Sequence, residues 1–161
     1  MTAQHDSGPR VRLRDVEDAD LDRFFADQAD AEAARMAAFP TRDRDAFDAH
    51  WRRIRHDPLA IVRTVVADGD VAGNVFCWQQ DGQRLVGYWI SREQWGHGIA
   101  TLALRLLIDS LPERPLHAHV AAHNHASIRV LGKCGFRRDH EAEAQLPDPE
   151  DGVSEHVFVL P

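Results

Sequence analysis

Two hydrophobic periods alternate along the first third of the chain, and each predicts a different kind of element. Val11 and Leu13 stand between arginines, and this alternation of apolar and polar positions predicts a first strand. Phe47, Trp51 and Ile54 recur at spacings of four and three, which predicts a helix with one face against a core. The same reasoning predicts helices over 21–25 and 29–40, with Thr41 capping the helix that contains Trp51.

The remaining two thirds predict a meander followed by alternating strands and helices. Apolar, β-branched runs separated by short glycine-containing turns predict antiparallel strands over 59–67, 71–78 and 85–90. A helix from Ile99 to near Pro112, a strand over 116–121, a helix over 124–133 and strands over 136–144 and 156–160 are then expected. We therefore predict an α/β (α+β) fold with a mixed, largely antiparallel central sheet of about seven strands flanked by helices.

Composition narrows the class of protein. The 161 residues suit one domain, which we place at 10–161 behind a flexible tail at 1–9. The formal net charge of −7 argues against nucleic acid as a partner and leaves room for a cationic or amine substrate. Only two cysteines, no apolar signal region and no run of about 18 apolar residues favour a cytoplasmic protein with no membrane partner.

The stretch WGHGIAT, residues 95–101, carries the strongest chemical signal. Two glycines that open an apolar helical run leave backbone N–H groups free at a helix N-terminus, which is a site for phosphate. A nucleotide-hydrolase P-loop is excluded because Ile99 and Ala100 follow Gly98 where Lys and Ser or Thr are required. The dinucleotide fingerprint lacks its third glycine at Thr101. An ordinary helix start with glycines for tight packing stays open on this stretch alone.

Two segments at a fixed spacing point to a family. GYWISREQWGHGIATLAL, followed by HVAAHNHASIRVLGKCGF, resembles the GNAT superfamily of acyl-CoA-dependent N-acetyltransferases over about residues 71–136. More narrowly, it resembles the branch that contains the ribosomal-protein-alanine N-acetyltransferases, in which Trp is usual at position 95. The resemblance implies the GNAT (acyl-CoA N-acyltransferase) fold, and acetyl-CoA as acyl donor and an amine acceptor as partners.

The resemblance also implies roles for ten residues. The main chain of the glycine turn would hold the CoA pyrophosphate, with His97 or Arg92 adding charge, and the end of the preceding strand would bond the pantetheine arm and thioester carbonyl. Asn124 would bond the pantetheine arm, although Asn is also a common helix cap. Many relatives use a Tyr as the acid at the position of Leu131, so Ser127 is the remaining candidate. The cofactor-binding residues are Trp89, Ile90, Gly96, His97, Gly98, Ile99, Ala100, Thr101 and Asn124, and the catalytic residue is Ser127.

Two hypotheses for function follow. The first is an enzyme that moves an acetyl group from acetyl-CoA to a primary amine, on a protein N-terminus or a small molecule, by direct attack in a ternary complex. The second is an acyl-CoA-binding module without catalysis, because the strand 85–90 contains no acidic residue and Glu93 lies in the loop that follows. A homodimer is compatible with either hypothesis.

Four histidines close together raise the alternative of a zinc site. His117 and His119 share a strand face, and His123 and His125 follow it. We expect no metal, because no cluster of Cys or carboxylates completes the ligand set. A general-base role for His119 stays open.

Overall fold

A seven-stranded sheet organises the chain in the computed structural model, which describes residues 8–161. Residues 1–7 of the tail predicted at 1–9 lie outside the described residues. The strands are β1 Val11–Arg14, β2 Ile61–Ala67, β3 Asp70–Gln80, β4 Gln83–Ile90, β5 Leu116–Ala121, β6 Arg137–Arg138 and β7 Glu155–Leu160. The helices are α1 Asp20–Ala29, α2 Ala31–Ala37, α3 Arg44–His56, α4 Ile99–Ser110, α5 His125–Lys133 and α6 His140–Ala144.

The sheet is mixed and mostly antiparallel, which confirms the predicted fold class. Its strand order is β1-β2-β3-β4-β5-β7-β6. The β4–β5 pair is parallel, and the other neighbouring pairs of the described sheet are antiparallel. The strands β2 to β4 form the predicted meander, and β5 has the predicted bounds of 116–121.

The two faces of the sheet bury different clusters because strand side chains alternate. Val75, Cys77 and Val86 pack with the apolar face of α4 in the larger cluster. Phe24 from α1 and Trp51 from α3 belong to a second cluster, which Val62 and Val71 also contact. The amphipathic helices α4 and α3 therefore cover opposite faces, and Asn74, Phe76 and Trp78 of β3 are left for the α3 side.

The predicted strand over 136–144 is wrong. Only Arg137–Arg138 pairs with β7, and α6 begins immediately afterwards. Asp139 caps that helix, since its Oδ1 accepts a hydrogen bond from the Ala142 N–H at 3.0 Å. The Thr41 cap is also wrong, because Asp43 occupies that position and accepts from the Ala46 N–H at 2.8 Å.

A buried carboxylate fastens α1 to the edge of the sheet. Asp20 is 4% exposed and accepts hydrogen bonds from Arg14 Nη1 at 2.7 Å, from Thr64 Oγ1 at 2.7 Å and from the Glu17 N–H at 2.9 Å. Burial alone would raise the pKa of Asp20, but the bonds from Arg14, Glu17 and Thr64 outweigh it and lower the pKa to about 2.

This carboxylate makes the stability of the fold depend on acid pH. Because the pKa is lowered in the folded state, its contribution is complete above about pH 4 and is lost as the pH falls towards 2. We expect that loss to be about 2 kcal/mol in chemical denaturation experiments. Asp20→Asn should remove this pH dependence and lower the free energy of unfolding by about 3 kcal/mol at pH 7, since it leaves Arg14 unpaired.

The matched control for that variant is Asp18→Asn. Asp18 also pairs with an arginine, Arg55 at 2.7 Å, but its side chain is 92% exposed. An exposed ion pair contributes less than about 1 kcal/mol, so this variant should unfold almost like the parent. Equal losses in the two variants would contradict the role given to Asp20.

Candidate active site

The N-terminus of α4 is open and uncapped. Gly98 precedes the helix with φ 79° and ψ 7°, a left-handed conformation that favours glycine. The first intrahelical bond runs from the Leu102 N–H to the Gly98 carbonyl, so the N–H groups of residues 99–101 find no backbone acceptor within residues 8–161. A Cβ placed on Gly98 would meet no atom within 4 Å. Unpaired donors therefore border empty space, which suits an anion.

The strand before this turn separates from its neighbour. β4 pairs with β5 at two register positions, Arg84 with Leu116 and Leu85 with His117, and the pairing ends there. The end of β4 continues to pair with β3, whereas β5 continues along β7. A wedge therefore opens between the two parallel strands, with Tyr88, Trp89 and Ile90 along one side.

A cavity of about 360 Å³ joins the glycine turn to this wedge. It contains nine of the ten site residues that the sequence predicts, and their roles stay predictions. His97 is the exception, because its exposed ring lies within 3.2 Å of the Gln94 carbonyl and does not line the cavity. The lining residues are Ala33, Met36, Ala37, Tyr88, Trp89, Ile90, Gln94, Trp95, Gly96, Gly98, Ile99, Ala100, Thr101, Asn124, Ala126, Ser127, Arg129, Val130 and Lys133.

Asn124 both caps α5 and lines the cavity. Its Oδ1 accepts a hydrogen bond from the Ser127 N–H at 3.2 Å, which is the capping interaction expected of Asn at this position. The cap uses only the oxygen of the side chain, so the amide nitrogen keeps two donors. Capping and ligand binding are therefore compatible at this residue.

Tyr88 and Ser127 form a hydroxyl pair that the sequence did not reveal. The Tyr88 Oη and the Ser127 Oγ lie 2.7 Å apart, although the residues are 39 positions apart in the chain. Burial raises the pKa of Tyr88 to about 12, so its phenol stays protonated at neutral pH. Since hydrophobic periodicity marks Tyr88 only as a strand residue, the wedge between β4 and β5 is needed to place it beside α5.

Positive charge at the cavity comes from α5. Arg129 and Lys133 are one helical turn apart and both line it. Arg92, which the sequence suggested, pairs instead with Asp30 at 3.4 Å and lies outside the lining. The i, i+4 spacing of the two basic residues indicates that they share a helix face. Because they lie about 30 positions after the glycine turn, the sequence alone does not show that this face borders the same cavity.

A second cavity, of about 330 Å³, continues the wedge to the opposite face of the sheet. Residues lining both cavities are Ala37, Tyr88, Trp89, Asn124 and Ser127. Aromatic rings dominate its wall, and the polar lining groups include Gln28, Arg42, His50, Asn74, His119 and Glu155. The hydroxyl pair therefore lies where the two cavities meet.

His119 and Glu155 form the acid–base pair of the second cavity. The His119 Nδ1 and the Glu155 Oε2 are 3.4 Å apart. The hydrogen bond from His119 lowers the pKa of Glu155 more than partial burial raises it, so this carboxylate is ionised at neutral pH. By contrast, Glu93, the acidic residue nearest to β4 in the chain, pairs with Arg23 and lines neither cavity.

The predicted histidine face does not assemble a metal site. His117 is buried at 9% exposure, and burial lowers its pKa. Across residues 8–161, no group of three or more His, Cys, Asp or Glu side chains is arranged to hold a metal ion. In the same range, no helix has both the length and the apolar character needed to cross a membrane.

Comparison with known proteins relates this arrangement to one family. Residues 10–137 match the family model described as an acetyltransferase (GNAT) domain. A 65-residue segment is 34% identical to the Bacillus licheniformis protein named "Uncharacterized N-acetyltransferase p20", a match that covers 38% of this chain and 36% of that protein's length.

Two solved structures share the fold across most of their length. The spermidine N-acetyltransferase of Vibrio cholerae, in complex with CoA and spermine, superposes with a TM-score of 0.79 at 16% identity, over 93% of this chain and 94% of that chain. RimJ of Mycobacterium smegmatis, in complex with CoA-disulfide, superposes with a TM-score of 0.75 at 19% identity, over 96% of this chain and 85% of that one.

Proposed function

We propose, since the chain belongs to the acetyltransferase (GNAT) domain family, that it transfers the acetyl group of acetyl-CoA to a primary amine by direct attack within a ternary complex. The observation that carries this proposal is the uncapped N-terminus of α4, which opens into the same cavity as the free end of β4. The CoA bound to the Vibrio cholerae and Mycobacterium smegmatis proteins supports the same donor.

The donor's phosphates belong at the glycine turn. The backbone N–H groups from Gly96 to Thr101 would bind the CoA pyrophosphate, where the helix dipole favours negative charge. Arg129 and Lys133 supply cationic groups on the facing helix. The overall charge of the chain is −7, so this local arrangement is what makes binding of an anionic donor favourable.

The pantetheine arm and the thioester belong in the wedge. Main-chain groups of Trp89 and Ile90 and the amide nitrogen of Asn124 would bond the arm, and a backbone N–H at the thioester carbonyl would stabilise the oxyanion. The indole N–H of Trp95 donates to the Ile90 carbonyl at 2.9 Å. This bond fastens the glycine turn to the end of β4 and so fixes the distance between phosphate site and reaction site.

The chemistry takes place where the two cavities meet. The neutral amine enters from the second cavity, its nitrogen bonds to the carbonyl carbon, and the tetrahedral intermediate collapses as the carbon–sulfur bond breaks. We assign His119, oriented by Glu155, as the acceptor of the amine's proton through water. Ser127, bonded to Tyr88, donates a hydrogen bond to the departing sulfur, and solvent protonates the released thiolate.

Three narrower points remain predictions within this proposal. Membership of the branch that contains the ribosomal-protein-alanine N-acetyltransferases is supported by the residues around Trp95. The structural similarity to RimJ agrees with it. A homodimer and a cytoplasmic location also remain predictions.

The function is tested by binding and turnover measured separately. Acetyl-CoA at about 100 times its Kd should add roughly 2.7 kcal/mol to the free energy of unfolding, seen as a raised melting temperature. The rate of thiol release from acetyl-CoA should then be higher with at least one amine of a panel than without any amine. Binding without thiol release would favour the acyl-CoA-binding module, and the absence of both would refute the proposal.

Gly98→Val should abolish this stabilisation by acetyl-CoA, because a β-branched side chain would fill the phosphate space and disfavour φ 79°. The matched control is Gly82→Val. Gly82 has φ +77° and equally open surroundings, but it lies in the β3–β4 turn away from both cavities. Both variants should lose similar intrinsic stability, and only the first should lose acetyl-CoA binding in calorimetry.

Ser127→Ala should lower kcat by about 10- to 100-fold, because a hydrogen bond to the charge developing on sulfur is lost, with little change in acetyl-CoA affinity. Tyr88→Phe keeps the ring but removes the hydroxyl that bonds Ser127, so we expect a smaller fall in kcat. Ser110→Ala, which removes a hydroxyl bonded to the Leu107 carbonyl at the far end of α4, is the control. Unchanged kcat in Ser127→Ala would remove Ser127 from the reaction.

The assigned proton acceptor predicts a loss of turnover. His119→Gln removes the ring nitrogen that would accept the amine's proton, so kcat/KM should fall by about 10²- to 10⁴-fold while acetyl-CoA affinity stays that of the parent. Glu155→Gln removes the carboxylate that lies 3.4 Å from the His119 ring and orients it, so we expect a smaller fall. His123→Gln alters a histidine bonded to the Arg35 carbonyl outside both cavities and should keep the parent rate. Unchanged kcat/KM in His119→Gln would reject this assignment.

A further inference from the structure

The second cavity contains a cation that has no partner. Arg42 lines the cavity, is partly buried, and holds its guanidinium 4.8 Å from the centre of the Phe39 ring. Within residues 8–161 this guanidinium makes no ion pair and no hydrogen bond. Burial, and secondarily the charge of Arg53, lowers the pKa of Arg42. A guanidinium remains charged in proteins, so this one supplies five unused donors to the cavity.

The side chain of Gln28 holds the backbone of Arg42 in place by bonding both its N–H and its carbonyl. Its N–H donates to Gln28 Oε1 at 2.9 Å, and its carbonyl accepts from Gln28 Nε2 at 3.1 Å. Gln28 is itself 8% exposed and lies on α1. The loop before α3 is therefore anchored at this residue, and the guanidinium is presented to the cavity from a fixed backbone.

A buried amide lines the same cavity without a partner. Asn74 is 5% exposed, and its side chain makes no hydrogen bond within the described residues 8–161. Asn74 pairs across the sheet with Trp89, so the two side chains share a face, and the Trp89 ring contacts Phe39 at 6.2 Å between centroids. The Asn74 amide is not among the fully buried side-chain atoms that lack a hydrogen-bond partner, so it reaches the cavity space and keeps its donors and acceptor for a ligand.

The charges of the cavity disfavour a second cation. The acidic residue among the described lining residues is Glu155, and its carboxylate lies 3.4 Å from the His119 ring. His50, beside Arg42, is neutral because burial and the charges of Arg42 and Arg53 lower its pKa to about 4. A polyamine would set another cation against Arg42, and the one carboxylate among the described lining residues, Glu155, is already hydrogen-bonded to His119.

We infer, on the basis of the proposed acetyl transfer, that the second cavity selects amines carrying a carboxylate on an apolar or aromatic body. Arg42 and Asn74 bind the carboxylate, and the aromatic wall around Trp51 and Trp89 holds the body. The amine then points towards Tyr88 and Ser127, where the two cavities meet. The acceptor class is thus amino acids and related amino carboxylates rather than polyamines.

The test uses matched amine pairs with the full chain. Phenylalanine is compared with phenethylamine, tryptophan with tryptamine and leucine with isoamylamine. The phosphonate analogue of phenylalanine separates carboxylate from general anion binding, and spermidine represents polyamines. When kcat/KM is measured by thiol release, the amino acid of each pair should exceed the amine without a carboxylate by about 10- to 100-fold. Arg42→Gln should reduce that ratio to near one, mainly through KM, and Arg42→Lys should retain part of it.

The control variant is Arg52→Gln. It removes the same charge from α3 at an exposed position outside both cavities, so the ratio should stay that of the parent. Asn74→Asp places a carboxylate in the cavity that Arg42 lines, where the carboxylate of the amine is proposed to bind. This variant should reverse the preference, towards the amines without a carboxylate. Melting temperature and acetyl-CoA binding are measured for each variant, so a folding defect is recognised as such.

Binding of the acceptor is measured independently of turnover. Three of the four tryptophans, Trp51, Trp78 and Trp89, line the second cavity, so tryptophan fluorescence with CoA present reports its occupation by the non-fluorescent ligands. Phenylalanine and leucine should bind more tightly than phenethylamine and isoamylamine, and Arg42→Gln should abolish the difference. Equal binding within these pairs, no binding by any of them, or a preference for spermidine overturns the inference. If the parent chain does not bind acetyl-CoA, the proposed function is refuted instead.

Discussion

The early separation of β4 from β5 is the constraint on which the rest of the site depends. Parallel strands need a crossover connection, and the helix that supplies it, α4, begins at Ile99, a short connection after the end of β4 at Ile90. The unpaired edge of β4 would cost free energy if it were simply buried, so it requires a polar ligand or water along it. One departure from regular pairing therefore produces the cavity, exposes the main-chain groups, and brings the start of α4 beside them.

Positive charge is concentrated at the two cavities, although the chain as a whole is acidic. An acidic chain repels an anionic donor at long range, but screening confines that repulsion to about 10 Å at ordinary ionic strength. Within that distance the donor would meet the unpaired N–H groups of α4 and the cations of α5. On the other side of the wedge, Arg42 is the cation without a partner among the described residues lining the second cavity. Each cavity therefore presents local positive charge, from the N–H groups of α4 and the cations of α5 in the first and from Arg42 in the second.

The sequence predicts the elements well where local signals are strong, and the site only where it is contiguous. The bounds of β5 and the turn before α4 follow from apolar runs and glycines, which act locally. The strand predicted at 136–144 fails because an Asp cap outweighs a weak apolar alternation. The Tyr88–Ser127 pair and the Arg42 subsite join segments tens of residues apart, so no periodicity encodes them. The ring of His97 lies within 3.2 Å of the Gln94 carbonyl and does not line the cavity, so its predicted role in CoA binding would fall to its backbone N–H.

The hydroxyl pair limits what Ser127 can do for the leaving group. A thiol titrates near 8.5, whereas the pKa of Tyr88 is raised to about 12, a gap of about 3.5 units or roughly 5 kcal/mol. Complete transfer of the Tyr88 proton to a free thiolate is therefore uphill, and a serine hydroxyl is a weaker acid still. A hydrogen bond to a charged group contributes roughly 1.5–3 kcal/mol, which corresponds to about 10- to 100-fold in rate. In the proposed reaction the pair would therefore stabilise negative charge on sulfur as the bond breaks, and solvent would supply the proton that finally remains on CoA.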